Sequence, residues 1–203
     1  ARILHQVASG LEAIHCRHIC HRDIKPANIM IDPDTLRVKI SDFGIAQVPE
    51  SDLTETAHLM GTPAYMAPEA FLSSRVDHLA DIFSLGAVAY ELFLGQRAFS
   101  GDSIQALALQ IPNDNPPAPR EIDPFFPETL QRILANMLKK DPQRRYSSAA
   151  AVCRELEEFL GNTPSRPGFW GWISRQIAPD WRGHPPGPNP QPCPAPGPDN
   201  GPW

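Results

Sequence analysis

The chain has 203 residues, 41% of them hydrophobic, with a formal net charge of -5. That is enough apolar material for one sizeable core and too little positive charge for nucleic acid to be the expected partner. No run approaches the roughly 18 consecutive apolar residues of a membrane span, and no basic-then-apolar leader opens the chain, so a cytoplasmic domain is expected.

Half of the 24 prolines fall from Pro164 onward, which predicts a folded region over residues 1–161, an aromatic linker over 162–182 and a Pro/Gly-rich tail over 183–203. Cys16, Cys20, Cys153 and Cys193 are scattered without paired metal-ligand spacing, as in a reduced compartment. Ala1 already lies inside an apolar periodic pattern, so the chain reads as a fragment that begins within a domain.

Ile3, Leu4, Val7, Leu11 and Ile14 recur at helical spacing and predict a first helix with one face in a core. Beyond it His15, Cys16, His18, Cys20 and His21 crowd together. Imidazole and thiolate are zinc ligands, but Cys16 and Cys20 also suit small buried hydrophobes. The run His21-Arg22-Asp23-Ile24-Lys25-Pro26-Ala27-Asn28 then sets an acid, a base and an amide on a proline-stiffened loop.

Ile29 to Ile31 and Val38 to Ile40, joined by Asp32-Pro33-Asp34-Thr35, predict a hairpin. Asn28 enters it and Asp42 leaves it, which brings together two hard oxygen ligands suited to magnesium. Met30 reads as strand core, as the floor under an adenine ring, or as both. Residues 45–60 lose periodicity and contain Ser51, Thr54 and Thr56. Arg22, beside Asp23, supplies a guanidinium able to hold a phosphate on that segment.

The stretch from Asp81 to Leu94 is apolar almost all round, with only Glu91 charged after its start, and predicts a helix buried on all sides. Asp81 is either its N-cap or a buried hydrogen-bonding carboxylate. A short helix over Ser103 to Gln110, a proline-punctuated loop from Pro112 to Pro127, and an amphipathic helix through Leu130, Ile133, Leu134, Met137 and Leu138 follow. Ser147 or Ser148 caps a last helix through Val152, Leu156, Phe159 and Leu160, ended by Gly161-Asn162. The cluster Phe169-Trp170-Gly171-Trp172-Ile173 is read as a linker in preference to a membrane-surface or docking segment. The prolines from Gly183 to Trp203 predict an extended, disordered tail of the kind seen in ligands for aromatic grooves and in inert spacers.

Four motifs in order, His21-Arg22-Asp23 to Asn28, Asp42-Phe43-Gly44, Gly61-Thr62-Pro63 to Ala67-Pro68-Glu69, and Asp141-Pro142-Gln143-Arg144-Arg145, resemble those of eukaryotic-type serine/threonine protein kinases. The resemblance covers residues 1 to about 160 and is similar in loop spacing to bacterial members. It implies a mainly α fold, the large kinase lobe, in which a helical bundle and a small β-hairpin carry the active site, followed by the disordered tail.

It further implies Asp23 as the base that orients a substrate hydroxyl and Lys25 as the charge partner of the transferring phosphate. Asn28 and Asp42 hold Mg2+ on ATP, and Met30 lies at the adenine. Thr62 docks a protein substrate, Thr54 and Thr56 are phosphosites read by Arg22, and His21, Phe43, Gly44, Glu69, Asp81 and Arg145 are structural. In the family the Arg145 position pairs with the Glu69 position in a buried ion pair; the alternative is two solvated charges. Lys25 and the docking loop resemble the serine/threonine pattern and not the tyrosine-kinase one.

The family's glycine-rich loop, strand lysine and helix glutamate should precede the catalytic loop, and the chain starts at Ala1 without them. A large lobe without its small lobe, inactive by itself, is the expectation. A pseudokinase-like scaffold and a tail-driven adaptor with a partner for the proline-rich stretch are the other readings. The full set Asp23, Lys25, Asn28 and Asp42 argues against the scaffold.

Overall fold

Helix periodicity and capping place most of the chain. The computed structural model describes residues 1–42, 63–72 and 76–162, so Phe43, Gly44, Thr54, Thr56, Thr62, the aromatic linker and the tail lie outside the described residues. Residues Ala1–Gly161 form one compact unit.

The described elements run α1 (Arg2–His15), β1 (Ile29–Ile31), β2 (Val38–Ile40), α2 (His78–Leu94), α3 (Ile104–Asn113), α4 (Pro119–Ile122), α5 (Glu128–Met137) and α6 (Ala149–Asn162), with short 3₁₀ turns at Pro26–Asn28, Pro63–Tyr65, Pro68–Phe71 and Pro142–Arg144. The fold is mainly helical with one two-stranded antiparallel sheet.

Helix α2 is the axis of the core. Leu79 through Tyr90 are all buried, as its unbroken apolar run requires. Asp77 caps its start, accepting from the Leu79 N–H at 2.8 Å, and Gly95 ends it at φ 70°, a left-handed conformation that glycine adopts without steric cost. The amphipathic face of α5 packs on it through Leu130, Ile133, Leu134 and Met137. The two helices come so close at Gly86 that a Cβ there would sit 2.8 Å from that of Met137. Helix α1 buries Leu4, Val7, Ala8 and Leu11 and packs against both α2 and β2.

The hairpin pairs Ile29 with Ile40, Met30 with Lys39 and Ile31 with Val38. Its turn is set by Asp32, whose Oδ1 accepts from the N–H groups of Asp34 and Thr35 at 2.9 and 3.2 Å. The bonds from Thr35 and Asp34 hold the Asp32 carboxyl below its usual range.

Three details depart from the sequence reading. Met30 is 54% exposed, so it is not strand core; a two-stranded sheet leaves one face without a covering layer. Helix α3 runs on through Pro112 to Asn113, because a proline in the last turn forfeits one hydrogen bond without ending the helix. Inside the proline-rich loop, Pro119 starts the one-turn helix α4, where its fixed φ suits the first helical position, and Glu121 Oε2 accepts from the Ala118 N–H at 2.9 Å. At the last helix Ser148 is the cap, its Oγ accepting from the Ala151 N–H at 3.2 Å.

Candidate active site

The run from His21 to Asn28 leaves α1, crosses in front of α2 and enters the hairpin. Asp81, in the first turn of α2 and 1% exposed, fixes its start. The Asp81 carboxylate accepts from the backbone N–H of His21 at 2.8 Å through Oδ2 and from that of Arg22 at 2.8 Å through Oδ1. Since Asp77 is the helix cap, Asp81 is the buried hydrogen-bonding carboxylate of the two readings. A third donor is His15, whose Nε2 lies 2.8 Å from Asp81 Oδ2. A carboxylate only accepts, so this nitrogen carries the proton.

Two donors on consecutive residues hold Arg22 at φ 65°, a left-handed conformation that a side chain resists without such support. His21 is fully buried. Its Nε2 donates to the Ser41 carbonyl at 3.0 Å and its Nδ1 accepts from the Asp23 N–H at 3.3 Å. That pattern specifies the neutral ring with the proton on Nε2. The buried Ile24 anchors the next position, so Asp23 and Lys25, either side of it, face outward together.

Asp23 Oδ2 receives two donors, Lys25 Nζ at 2.8 Å and Asn28 Nδ2 at 2.9 Å. Asn28 is buried and its Nδ2 also reaches the Asp23 carbonyl at 2.8 Å, closing the loop on itself. The Asp23 side chain remains 37% exposed, and Oδ1 has no partner among the described residues. Arg22 is exposed and takes part in no ion pair among those residues.

Strand pairing continues one step past the sheet, the Ser41 N–H donating to the Asn28 carbonyl at 2.9 Å. Asn28 and Asp42 therefore stand one residue apart in register at the hairpin's open end. Asp42 is exposed at φ 54°, with Ser41 Oγ donating to its Oδ2 at 3.2 Å. With Nδ2 turned to Asp23, the amide of Asn28 keeps its oxygen for a cation. An amide oxygen and an exposed carboxylate form a donor set suited to a hard divalent ion whose remaining ligands are water and phosphate.

Behind the loop a second charged centre joins separate segments. Arg145 is fully buried as a side chain and makes a two-pronged ion pair with Glu69, Nη1 to Oε1 at 2.6 Å and Nη2 to Oε2 at 2.7 Å. Its other donors reach the carbonyls of Lys139 at 2.7 Å, Leu79 at 2.9 Å and Lys140 at 3.1 Å, so all five guanidinium N–H bonds are used.

Tyr65, in the segment before Glu69, donates its hydroxyl to Glu91 and lies under the Arg97 guanidinium at 5.9 Å. Burial and the Glu91 carboxylate push the Tyr65 phenol up to about 12. The isolated charge of Glu91 in an apolar helix was the signal that could have found this contact.

Comparison with known proteins points one way. The protein kinase domain family matches residues 1–156. The chain is 35% identical over 190 residues to the serine/threonine-protein kinase Pkn1 of Myxococcus xanthus, covering 88% of this chain and 27% of that protein. It is 36% identical over 167 residues to the serine/threonine-protein kinase PknA of Mycobacterium tuberculosis, covering 81% and 38%. A third relative, drp72 of Corynebacterium efficiens, also named a serine/threonine-protein kinase, is 36% identical over 179 residues, covering 87% and 34%. The chain thus spans about a third of the length of these curated relatives. With most of its length matched and the loop, hairpin and buried ion pair in place around α2, the chain belongs to the protein kinase family.

Proposed function

We propose that the chain carries the catalytic loop of a serine/threonine kinase that moves the γ-phosphoryl group of ATP to a hydroxyl of a protein substrate. The observation that carries this is the division of labour on Asp23: Oδ2 takes Lys25 and Asn28 while Oδ1 has no partner among the described residues. As the serine or threonine oxygen bonds to phosphorus and the bond to the ADP oxygen breaks, Asp23 Oδ1 accepts the hydroxyl proton. Lys25 offsets charge on the transferring group. Mg2+, held by Asn28 and Asp42, would neutralise the phosphate oxygens.

Met30, exposed on the hairpin, is suited to the adenine face. Arg22, exposed and without an ion pair among the described residues, is suited to a phosphate on Thr54 or Thr56, and Thr62 to docking the substrate. Supply of ATP favours the cytoplasm; the expected free thiols are found at Cys20 and Cys153 but not at Cys16, which is exposed and disulfide-bonded. No helix among the described residues is long and apolar enough to cross a membrane. Residues 1–22 form α1 and a turn, with no glycine-rich phosphate loop, so these 203 residues assayed by themselves should bind ATP weakly and turn over little.

The test is phosphoryl transfer by the protein that carries this chain, purified at its natural length, to mixed serine, threonine and tyrosine peptides. Asp23→Asn should lower kcat by about 10²- to 10⁴-fold, the usual worth of a positioned general base, and mass mapping of the same preparation should find phosphate on Thr54 or Thr56. Undiminished turnover by the variant, or a preference for tyrosine, would overturn the reading.

A further inference from the structure

Helix α3 ends without a cation of its own. No basic residue stands in its last turn, where the terminal carbonyls of a helix carry partial negative charge. The Asp114 N–H closes the Gln110 carbonyl at 2.8 Å. The next carbonyl, that of Ile111, is taken from outside the helix by the ammonium of Lys140, which stands 29 positions further on, in the turn after α5.

Aromatic walls hold that ammonium on its target. It lies 4.3 Å from the centre of the Phe99 ring and 5.7 Å from that of Phe83. Both rings are fully buried and stack on each other with centres 6.0 Å apart. A cation over aromatic faces and on the last carbonyls of a helix is favoured by both neighbours.

The backbone of Lys140 belongs to the Glu69–Arg145 centre. Its carbonyl accepts from Arg145 Nη2 at 3.1 Å, and the Arg145 guanidinium lies over the same Phe83 ring at 5.0 Å. Glu69 stands in the turn Pro68–Phe71, and α3 packs against that turn and against Pro63–Tyr65. The segment that follows Thr62 is thus held from two sides, by the ion pair and by α3, and Lys140 bonds to both holders.

We propose that Lys140 is a positioning residue for the acceptor substrate: its ammonium sets α3 against residues 63–71 and thereby fixes the affinity for the protein whose hydroxyl is phosphorylated. That role rests on the reading of Thr62 and the segment after it as the docking site. Lys140 touches neither substrate nor the reacting atoms. Its mark is therefore selective: the KM for the acceptor moves, while kcat and the KM for ATP, set by the loop from His21 to Asn28 and by Asp42, do not.

The role is also pH-dependent. Burial brings the Lys140 pKa down to about 8; Asp114, beyond the end of α3, opposes that shift and Arg145 adds to it. The other charged group of this centre is Glu69, already paired with Arg145, and α2 faces the ammonium with Phe83. The cation is present below about pH 8 and lost as the pH rises through that value.

The test is steady-state kinetics of the protein at its natural length on a serine peptide. Lys140→Met keeps the stem and removes the charge; it should raise the peptide KM by about five- to tenfold, within the usual range of coupling between separate sites, and leave kcat and the ATP KM within about twofold. Lys140→Arg keeps a cation and a donor and should restore the peptide KM. In the parent protein that KM should climb between about pH 7 and 9, while in Lys140→Arg, whose guanidinium stays charged, it should hold level. An unmoved peptide KM in Lys140→Met, a fall in kcat as large as the rise in KM, or parallel pH profiles in the parent and Lys140→Arg would overturn the proposal. The parent's own profile needs no substitution, so a flat one decides against Lys140 even where the variants disturb folding. A parent that phosphorylates no peptide sinks the kinase reading and this role together; transfer with an unmoved KM sinks the role of Lys140 alone.

Discussion

Two aspartates serve the same short loop and are treated in opposite ways. Asp81 is 1% exposed and has both oxygens filled, by the backbone of His21 and Arg22 and by the His15 ring. Asp23 is 37% exposed as a side chain, has one oxygen shared by Lys25 and Asn28, and keeps the other open among the described residues. A buried carboxylate with donors on both oxygens fixes geometry and is kept from reacting. One that is half-satisfied at the surface can take a proton. The buried frame, to which Glu69 and Arg145 also belong, and the open loop are therefore separable, and substitutions should divide between them.

The largest effect is expected in the frame. Arg145→Met keeps the length of the side chain but removes five donors at once, leaving Glu69 and the carbonyls of Lys139, Leu79 and Lys140 without their partner. Breaking a buried pair from one side typically costs about 3–5 kcal/mol, which chemical denaturation would read directly. A loss below about 1 kcal/mol, the level of an exposed pair, would place Glu69–Arg145 with the surface charges and break the comparison.

Asp81→Asn is expected next. The amide matches the carboxylate in shape but turns one acceptor into a donor, so either the His21 or the Arg22 N–H faces another N–H. An unpaired buried donor costs about 1–3 kcal/mol. The loop start should loosen with it, since those two bonds hold Arg22 in its left-handed conformation. Hydrogen exchange at the His21 and Arg22 amides should accelerate, and unchanged protection there would mean that Asp81 does not restrain the loop.

How far the chain could be read in advance depended on whether the signal was local. The apolar stripes of α1 and α5 and the all-apolar α2 follow from spacing alone, and the hairpin from its turn chemistry. The role of Asp81 was not open to spacing: the helix starts at His78, three residues before the apolar run that announced it, with Asp77 as its cap, and only the packing of the loop against α2 makes Asp81 the buried carboxylate. The Glu69–Arg145 contact joins residues 76 positions apart and was legible only through two motifs taken together.

The strand-core reading of Met30 failed because burial in a three-residue strand depends on what covers the sheet. A cavity beside Tyr90, Leu134 and Pro117 was invisible for a related reason: it is gathered from α2, the proline-rich loop, α5 and the turn after it. No periodic pattern records such a meeting.

The smallest effect on stability, and the sharpest use of the comparison, is Asp23→Asn in the open loop. Lys25 is 19% exposed as a side chain, so its ammonium can turn to water when the opposite charge goes, and the asparagine oxygen can still face the Asn28 amide. Solvent-facing substitutions of this kind change stability by about 0.5 kcal/mol or less. Denaturation of the variant should therefore overlay that of the parent, while phosphoryl transfer falls by orders of magnitude. A destabilisation comparable to that of Asp81→Asn would mean that Asp23 is part of the frame after all. In that case its contacts with Lys25 and Asn28 hold the loop together, and they no longer argue for a proton acceptor.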